Sequence, residues 1–301
     1  MVILLCLQGE ARWLWTFYFY KNYWRGELKA LGYQGRDVEV VALNDAQYLV
    51  AACDSCGAIG EKELDAVKVP WRVTGRMTAR VALLEVLAVG AVPQMLSIAI
   101  ANEPLPAGEE IMKGVREELK AMNMLSLPAA VSTEKNMPTE QTGLGITVIG
   151  LCDQDKLRIG RARPGNSLFC LGLPKVGTEA ADPEDPDILQ GRHLIQLLNI
   201  PGVYDIIPVG SQGIRGEAEA LAQAVGARFR EDTQCELDLN KSAGPSTCLI
   251  YTAAEDIELG AFGKLPIHKI GRLEEMEAEV EASQTGQEIK TKIQEEYECS
   301  I

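Results

Sequence analysis

The sequence predicts an α/β (α+β) chain of two domains, each a sheet flanked by helices. Three observations predict it. From Val38 onward, short β-branched apolar runs alternate with segments of helical periodicity. The alternation runs once before and once after a connector-like stretch at Arg161 to Gly165. With 301 residues, 47% hydrophobic and 24% charged, the chain is long enough for two ordinary domains and too apolar to be disordered. The division reads as an aromatic-rich N-terminal extension (1–37), a first domain (38–160), a second domain (161–273) and a charged tail (274–301).

Taken in order, VEVVAL (38–43) and YLVAAC (48–53) read as strand, turn, strand, with Asn44-Asp45-Ala46-Gln47 between them. VTGRMTARVALLEVLAVGAVP (73–93) is helical by pattern and stops at Gly90 and Pro93. QMLSIAIA follows as a strand. Pro106 opens a helix on which Ile111, Val115, Leu119 and Met122 form one face. GLGITVIGLC (143–152) is a buried strand. The second series has a strand at 167–173, a helix ILQGRHLIQLLN, a strand-like VYDIIPV and a helix IRGEAEALAQAVG. TCLIYTA and IHKIG come after, and the tail from Leu273 reads as a solvated helix. TEAADPEDPD (178–187) is an acidic surface loop.

The net charge of −14 excludes a phosphate-backbone binder, so nucleic acid is not an expected partner. A small anionic ligand is compatible with that charge when divalent metal supplies the positive charge. The eight cysteines are scattered, which fits a reducing cytoplasm better than a disulfide framework. No apolar run reaches the length of a membrane span. The aromatic cluster from Trp13 to Trp24 reads as a peripheral extension or an over-long start, with membrane contact or an oligomer interface as the alternative.

Site chemistry centres on CDSCGAIGEKELDAVKVP (53–70). Cys53 and Cys56 have zinc or disulfide-exchange spacing, but there is no second pair, and His193 and His268 are far away. Asp54, just past an apolar strand, is at a sheet edge where α/β proteins present side chains to ligands. Asp45 reads equally as a turn residue or as a second acid at that end. At 100° per residue, Glu85 lies about 40° from Val81 and Val89, and Arg76 and Arg80 lie roughly 180° and 140° from it. The arginines are therefore expected outward, and Glu85 on the packing face unless the helix twists to expose it. Glu134, in VSTEKNMP, is a fourth acid. Oxygen donors without histidine suit magnesium, which is usually shared with substrate phosphates. Lys62 and Lys68, beside Gly57 and Gly60, suit the phosphate end. No P-loop and no nucleophilic triad is present.

TGRMTARVALLEVLAVGAVP resembles the aminoimidazole ribonucleotide synthetase superfamily, where a helix ending in an Ala-x-Gly-Ala-x-Pro turn carries a metal-binding acid. That superfamily also holds thiamin-monophosphate kinase, selenophosphate synthetase and a hydrogenase maturation factor. NDAQYLVAACDSCG resembles its Asp-Ala turn, strand and acidic loop, and STEKNMP its third acidic loop. The resemblance thus implies Asp45, Asp54, Glu85 and Glu134 as metal ligands. More weakly, GSQGIRGEAEALAQAVGARF is similar to the helix start of the C-terminal domain, and IHKIGRLE to its closing strand. Departures are Ala82 for the usual Asn, Glu85 for Asp, Ser132-Thr133 for Gly-Gly and Gln212 where Asp is common. Within the superfamily, CDSxGxIGEKExDxVKVP followed by TARVALxEVLAxGAxP resembles the α-ribazole kinases.

That resemblance implies ATP-dependent phosphorylation of the ribosyl 5′-hydroxyl of α-ribazole, for cobamide nucleotide-loop salvage. It implies Mg2+ as metal, a homodimer through the first domain, and ATP near the subunit boundary. Gly57, Gly60, Lys62 and Lys68 then cover the phosphates, and Ser211 and Gln212 lie on the substrate side, at a helix start. No general base is identified. Rival readings are another ATP-using member, such as a thiamin-monophosphate kinase-like or ring-closing enzyme, and a non-catalytic nucleotide-binding protein.

Overall fold

The computed structural model describes residues 32–255, 257 and 262–276. The aromatic extension up to residue 31 and the tail beyond 276 lie outside the described residues.

The first sheet is built from β1 (Glu39–Ala42), β2 (Gln47–Gly57), β5 (Val92–Ile100), β6 (Ala129–Thr133) and β7 (Gly143–Asp153), in the order β1-β2-β7-β5-β6. All its pairs are antiparallel except β5 with β6. A small parallel ribbon, β3 (Ile59–Gly60) with β4 (Val67–Lys68), follows β2. The expected strand 48–53 is longer than its apolar run, because β7 supplies a partner for every residue from Gln47 to Gly57. Asp54 and Cys56 therefore lie inside β2, not in a loop beyond it.

Helix α1 (Trp71–Ala88) starts two residues before the apolar pattern suggests and ends where Gly90 turns left-handed at φ 85°. Helix α2 (Glu109–Ala121) crosses it at very short range. A side chain on Gly75 would fall on the Ile111 carbonyl, and one on Gly114 on the Arg72 carbonyl, so the two glycines let backbone meet backbone. Strand β6 had no sequence signal as a strand: its residues are mostly exposed on the sheet edge, and only pairing with β5 defines it.

The second half adds β8 (Ser167–Leu171), α3 (Gly191–Leu198), β9 (Val203–Pro208), α4 (Gly213–Ala224), β10 (Ala227–Glu231), β11 (Leu249–Ala253) and β12 (Ile267–Glu275). Its sheet is antiparallel throughout, in the order β10-β12-β8-β11-β9. Strand β12 runs to Glu275, past the point where the charged tail was expected to begin as a helix. Ile270 and Leu273 face inward, while Glu274 meets Arg228 and Arg230 of β10. The β10 strand itself was not legible in advance.

Helix α1 is the hinge of the architecture. One side lies on β2 and β7, another on α2, and a third on α3 and β9 of the second half. One apolar core accordingly runs from Val50 and Leu96 through Leu83 and Leu84 to Leu194, Ile206 and Tyr251. A helix covered on three sides leaves open only its first turn and the side that faces the cleft between the halves, which corrects the expectation for Arg76 and Arg80. Arg80 is wholly buried on Glu118 of α2, and Arg76 is largely buried on the same carboxylate. No helix among the described residues is long and apolar enough to cross a membrane.

Candidate functional site

A cleft of about 520 Å3 opens between the two halves. Its floor is α1, which presents Val73, Met77, Val81 and Glu85 to it. The end of β2 contributes Cys53 to Cys56, and the ribbon contributes Ile59, Val67 and Val69. The second half supplies the opposing rim from Val176 to Ala181, Gly210-Ser211 and Gly244 to Ser246.

The ribbon loop is tied down by Asp65. Its carboxylate accepts the backbone N–H of Lys62 at 2.8 Å, and the N–H and hydroxyl of Thr142 at 2.7 Å each. Trp71 donates to the same Thr142 hydroxyl at 2.9 Å. Gly60 is glycine because a side chain there would meet Trp71 at 2.8 Å and Asp65 at 2.9 Å. This knot, rather than any phosphate contact, organises GEKELDAVKVP.

Three acids line the cleft: Asp37, Asp54 and Glu85. Asp54 follows from strand alternation, since Val50, Ala52, Asp54 and Cys56 share the face turned towards the helices. The hairpin sets the level of Asp37. The β1–β2 register pairs Glu39 with Ala51, so two more residues back bring residue 37 level with residue 53. The sequence reading missed Asp37 because it looked for the second acid in the turn. The register gives only its height along the hairpin: alternation would put it on the Cys53 face, and it lines the cleft from the bend that precedes β1, a placement no strand pattern signals.

Burial dominates the electrostatics here. It pushes the Asp54 carboxyl up to about 6; Asp37 adds to the rise and the Ser55 N–H opposes it. Burial also lifts Glu85, only 6% exposed, well above the carboxylate range, with Arg36 pulling the other way. Behind the cleft Glu217 of α4 is pushed up to about 7, by burial first and then by Asp37. The buried Arg36 guanidinium reaches the Ile206 carbonyl and Asp205 but leaves Nε and Nη1 without hydrogen-bond partners. Carboxylates thus outnumber the cations around them.

The other expected site residues are placed elsewhere. Asp45 sits in the exposed hairpin turn, beside Asn44, whose side-chain oxygen accepts from the N–H groups of Ala46 and Gln47. The run from residue 47 to 54 puts about 23 Å of strand between that turn and Asp54. Glu134 lies just past β6 and accepts from the backbone of Asn136 at 2.7 Å and Met137 at 3.1 Å. Those bonds hold its carboxyl below the usual range, and it does not line the cleft. Lys62 is paired with Glu103 at 2.6 Å, and Lys68 donates to the carbonyls of Lys62 and Glu63. Gly57 and Gly60 border the loop without lining the cleft. Ser211 lines it, whereas Gln212 only precedes α4.

Cys53 and Cys56 are three apart in one strand, so they point to opposite faces of the sheet. That removes the structural basis for reading them as a redox or zinc pair. Among the described residues no group of three or more His, Cys, Asp or Glu is arranged to cage a metal ion. The donors that do converge are carboxylates with an excess of negative charge and an all-oxygen donor set. They fit a hard divalent cation that takes its other ligands from water and phosphate.

Residues 35–152 match the family model for AIR synthase related protein, N-terminal domain. No curated protein matches the chain in sequence. Solved structures share its fold over most of its length. Thiamine monophosphate kinase from Aquifex aeolicus aligns with a TM-score of 0.57 at 15% identity, over 89% of this chain and 96% of that one. AaThiL complexed with AMPPCP and TMP aligns at 0.55 and 15% identity, over 87% and 90%. Hydrogenase maturation protein HypE in complex with ATP aligns at 0.58 and 15% identity, over 89% and 88%. At these identities the likeness is one of fold, and it meets the two-domain expectation drawn from the helix motif.

Proposed function

We propose that this chain, with its AIR synthase related first domain, is an ATP-dependent kinase acting on the ribosyl 5′-hydroxyl of α-ribazole, in salvage of the cobamide nucleotide loop. The observation that carries this reading is the composition of the cleft. One part is acidic, with Asp37, Asp54 and Glu85; the rest is largely apolar, with Val69, Val73, Met77 and Val81. No lysine, arginine or histidine is among the described residues lining it. An acceptor that already carried a phosphate, as thiamine monophosphate does, would find no counter-charge there. An uncharged riboside with an apolar base fits both halves of that description. Solved structures of the same fold bound to AMPPCP or ATP support the nucleotide.

Magnesium-bound ATP, when present, supplies the transferable phosphoryl group and the positive charge that the acids call for. Asp37, Asp54 and Glu85 would face that cation from one part of the cleft, with water and phosphate completing its ligands rather than the three acids caging it. Val73, Met77 and Val81 hold the apolar base and exclude water from that side of the cleft. The Gly210-Ser211 and Gly244 to Ser246 segments orient the acceptor from the other rim. Little covalent work falls to the protein, since such transfers depend mainly on positioning and electrostatics.

The reading includes a homodimer through the first sheet. Val41, Leu49 and Val92 stand exposed in one row across β1, β2 and β5, on the face turned away from the helices, and a second copy would cover this apolar surface. The deciding experiment is acceptor-dependent ADP release with ATP and Mg2+, comparing α-ribazole, thiamin monophosphate and the purine-pathway formylglycinamidine substrate. Turnover of α-ribazole alone is expected. Turnover of another acceptor would move the substrate, and ATP binding without turnover would leave a nucleotide-binding protein.

A further inference from the structure

Ser246 has a backbone that its side chain does not favour. Among the described residues, four non-glycine positions are left-handed: Gln34, Ala58, Asn123 and Ser246. Of these only Ser246, at φ 51°, lines the cleft. It is 2% exposed, and no hydrogen bond to its hydroxyl is made from any described residue. Its neighbour Thr247 shows the contrast, because that hydroxyl accepts the Lys175 N–H at 2.8 Å. A serine in this conformation is strained where glycine would be at ease. Its hydroxyl is not sealed in the core, as the unsatisfied groups of Arg36 and Tyr251 are, but belongs to the cleft lining.

The segment that carries Ser246 is held firmly. The Ala243 N–H donates to the Gly210 carbonyl at 3.1 Å, and the Thr247 N–H to the Ala243 carbonyl at 2.9 Å. Gly210-Ser211 and Gly244 to Ser246 thus form one stitched rim facing the cleft. A hydroxyl that both donates and accepts, fixed by a rigid backbone and carrying no charge, is suited to recognising another hydroxyl.

We propose that Ser246 is a specificity-determining residue, whose hydroxyl hydrogen-bonds a sugar hydroxyl of the acceptor. The assignment rests on the kinase reading above and adds a contact to it. The side chain is then retained for the ligand, at the expense of an unstrained glycine.

The test uses the full chain with Ser246→Ala and Ser246→Gly, and two probes, α-ribazole and its free base. Both variants should raise KM for α-ribazole by about tenfold, as a lost hydrogen bond of ordinary strength would. KM for ATP and the affinity for the free base, read by thermal titration, should not move. Ser246→Gly should also raise Tm by about 2 °C, because it releases the backbone, which guards against a folding artefact. A KM for α-ribazole within twofold of wild type in both variants overturns the assignment and leaves the kinase reading intact. Equal loss for the free base also overturns it, since the side chain would then only pack. A wild-type protein that neither binds nor phosphorylates α-ribazole removes the kinase reading itself, and this contact with it.

Discussion

Arg80 and Glu118 form an ion pair sealed between α1 and α2. Arg80 Nε lies 2.7 Å from Glu118 Oε1, Nη2 lies 2.8 Å from Oε2, and the side chains are 0% and 1% exposed. The remaining guanidinium protons go to the carbonyls of Pro183 and Leu189, so the pair also fastens the second half to the first. Glu118→Gln takes the carboxylate from one buried and one largely buried guanidinium and should cost about 3–5 kcal/mol, whereas Arg80→Met leaves Glu118 paired with Arg76 and should cost less. The double variant should lose less than the sum, with a coupling of about 1 kcal/mol or more. Urea denaturation of the four proteins measures it. Additive losses would mean that the pair does not act as a unit.

Glu217 predicts a pH dependence with a definite sign. Its carboxyl stands at about 7 in the fold, against an ordinary value of 4.5. Between those values the native protein holds a proton that the unfolded chain has released. The stability it contributes is complete below about 4.5 and is lost as pH rises through 7, by roughly 3 kcal/mol at most. Glu217→Gln keeps an acceptor for the Gly210 N–H and abolishes this slope. It should match wild type at pH 4.5 and be more stable at pH 8, by chemical denaturation at both. A variant less stable at pH 8 would reverse the sign and refute the assignment.

Tyr251 predicts a gain from a deletion. Its ring stacks on Phe169 with centroids 5.3 Å apart, but its hydroxyl is buried in the core without a partner. Tyr251→Phe keeps the stack and removes an unsatisfied polar group. Stability should rise by about 1 kcal/mol. A loss of that size would reveal a partner for the hydroxyl.

The two cysteines of the opening motif should behave independently. Burial pushes the Cys56 thiol up to about 11, whereas Cys53 is exposed. Cys53 should react with a thiol reagent at pH 8 well before Cys56. The double Cys→Ser variant should keep acceptor-dependent ADP release. Its abolition would restore the redox reading that strand alternation argues against.

The fold was legible where periodicity is local. The α1 pattern, the α2 face of Ile111 and Val115, and the apolar runs of β7 and β11 carry their own signal. The β6 and β10 strands carry none, because the partner strand and not the side-chain pattern defines them. The arginines of α1 were misplaced for a related reason. A helical wheel ranks faces by one helix's own residues, whereas Arg80 is turned inward by Glu118, which is 38 residues away in sequence. The partner of Lys62 was illegible for the same reason: it pairs with Glu103, which no spacing rule connects to it. Asp54 and Glu85 reach the cleft because each is placed by its own element.

The sharpest test of the site compares three aspartates that sequence alone cannot rank. Asp37, just before β1, and Asp54, near the end of β2, both line the cleft, whereas Asp45 lies in the turn at the far end of the same hairpin. If the cleft acids hold the metal-bound phosphates, Asp37→Asn and Asp54→Asn should each lower kcat/KM by about 100-fold or more, equivalent to several kcal/mol of transition-state stabilisation. Both should weaken Mn2+ binding, measured without acceptor. Asp45→Asn should stay within about twofold of wild type in both assays, since surface substitutions away from a site are usually near neutral. An Asp45 effect as large as that of Asp54 would mean that the turn reaches a site in another subunit. Near-normal turnover in Asp54→Asn would remove the metal assignment altogether.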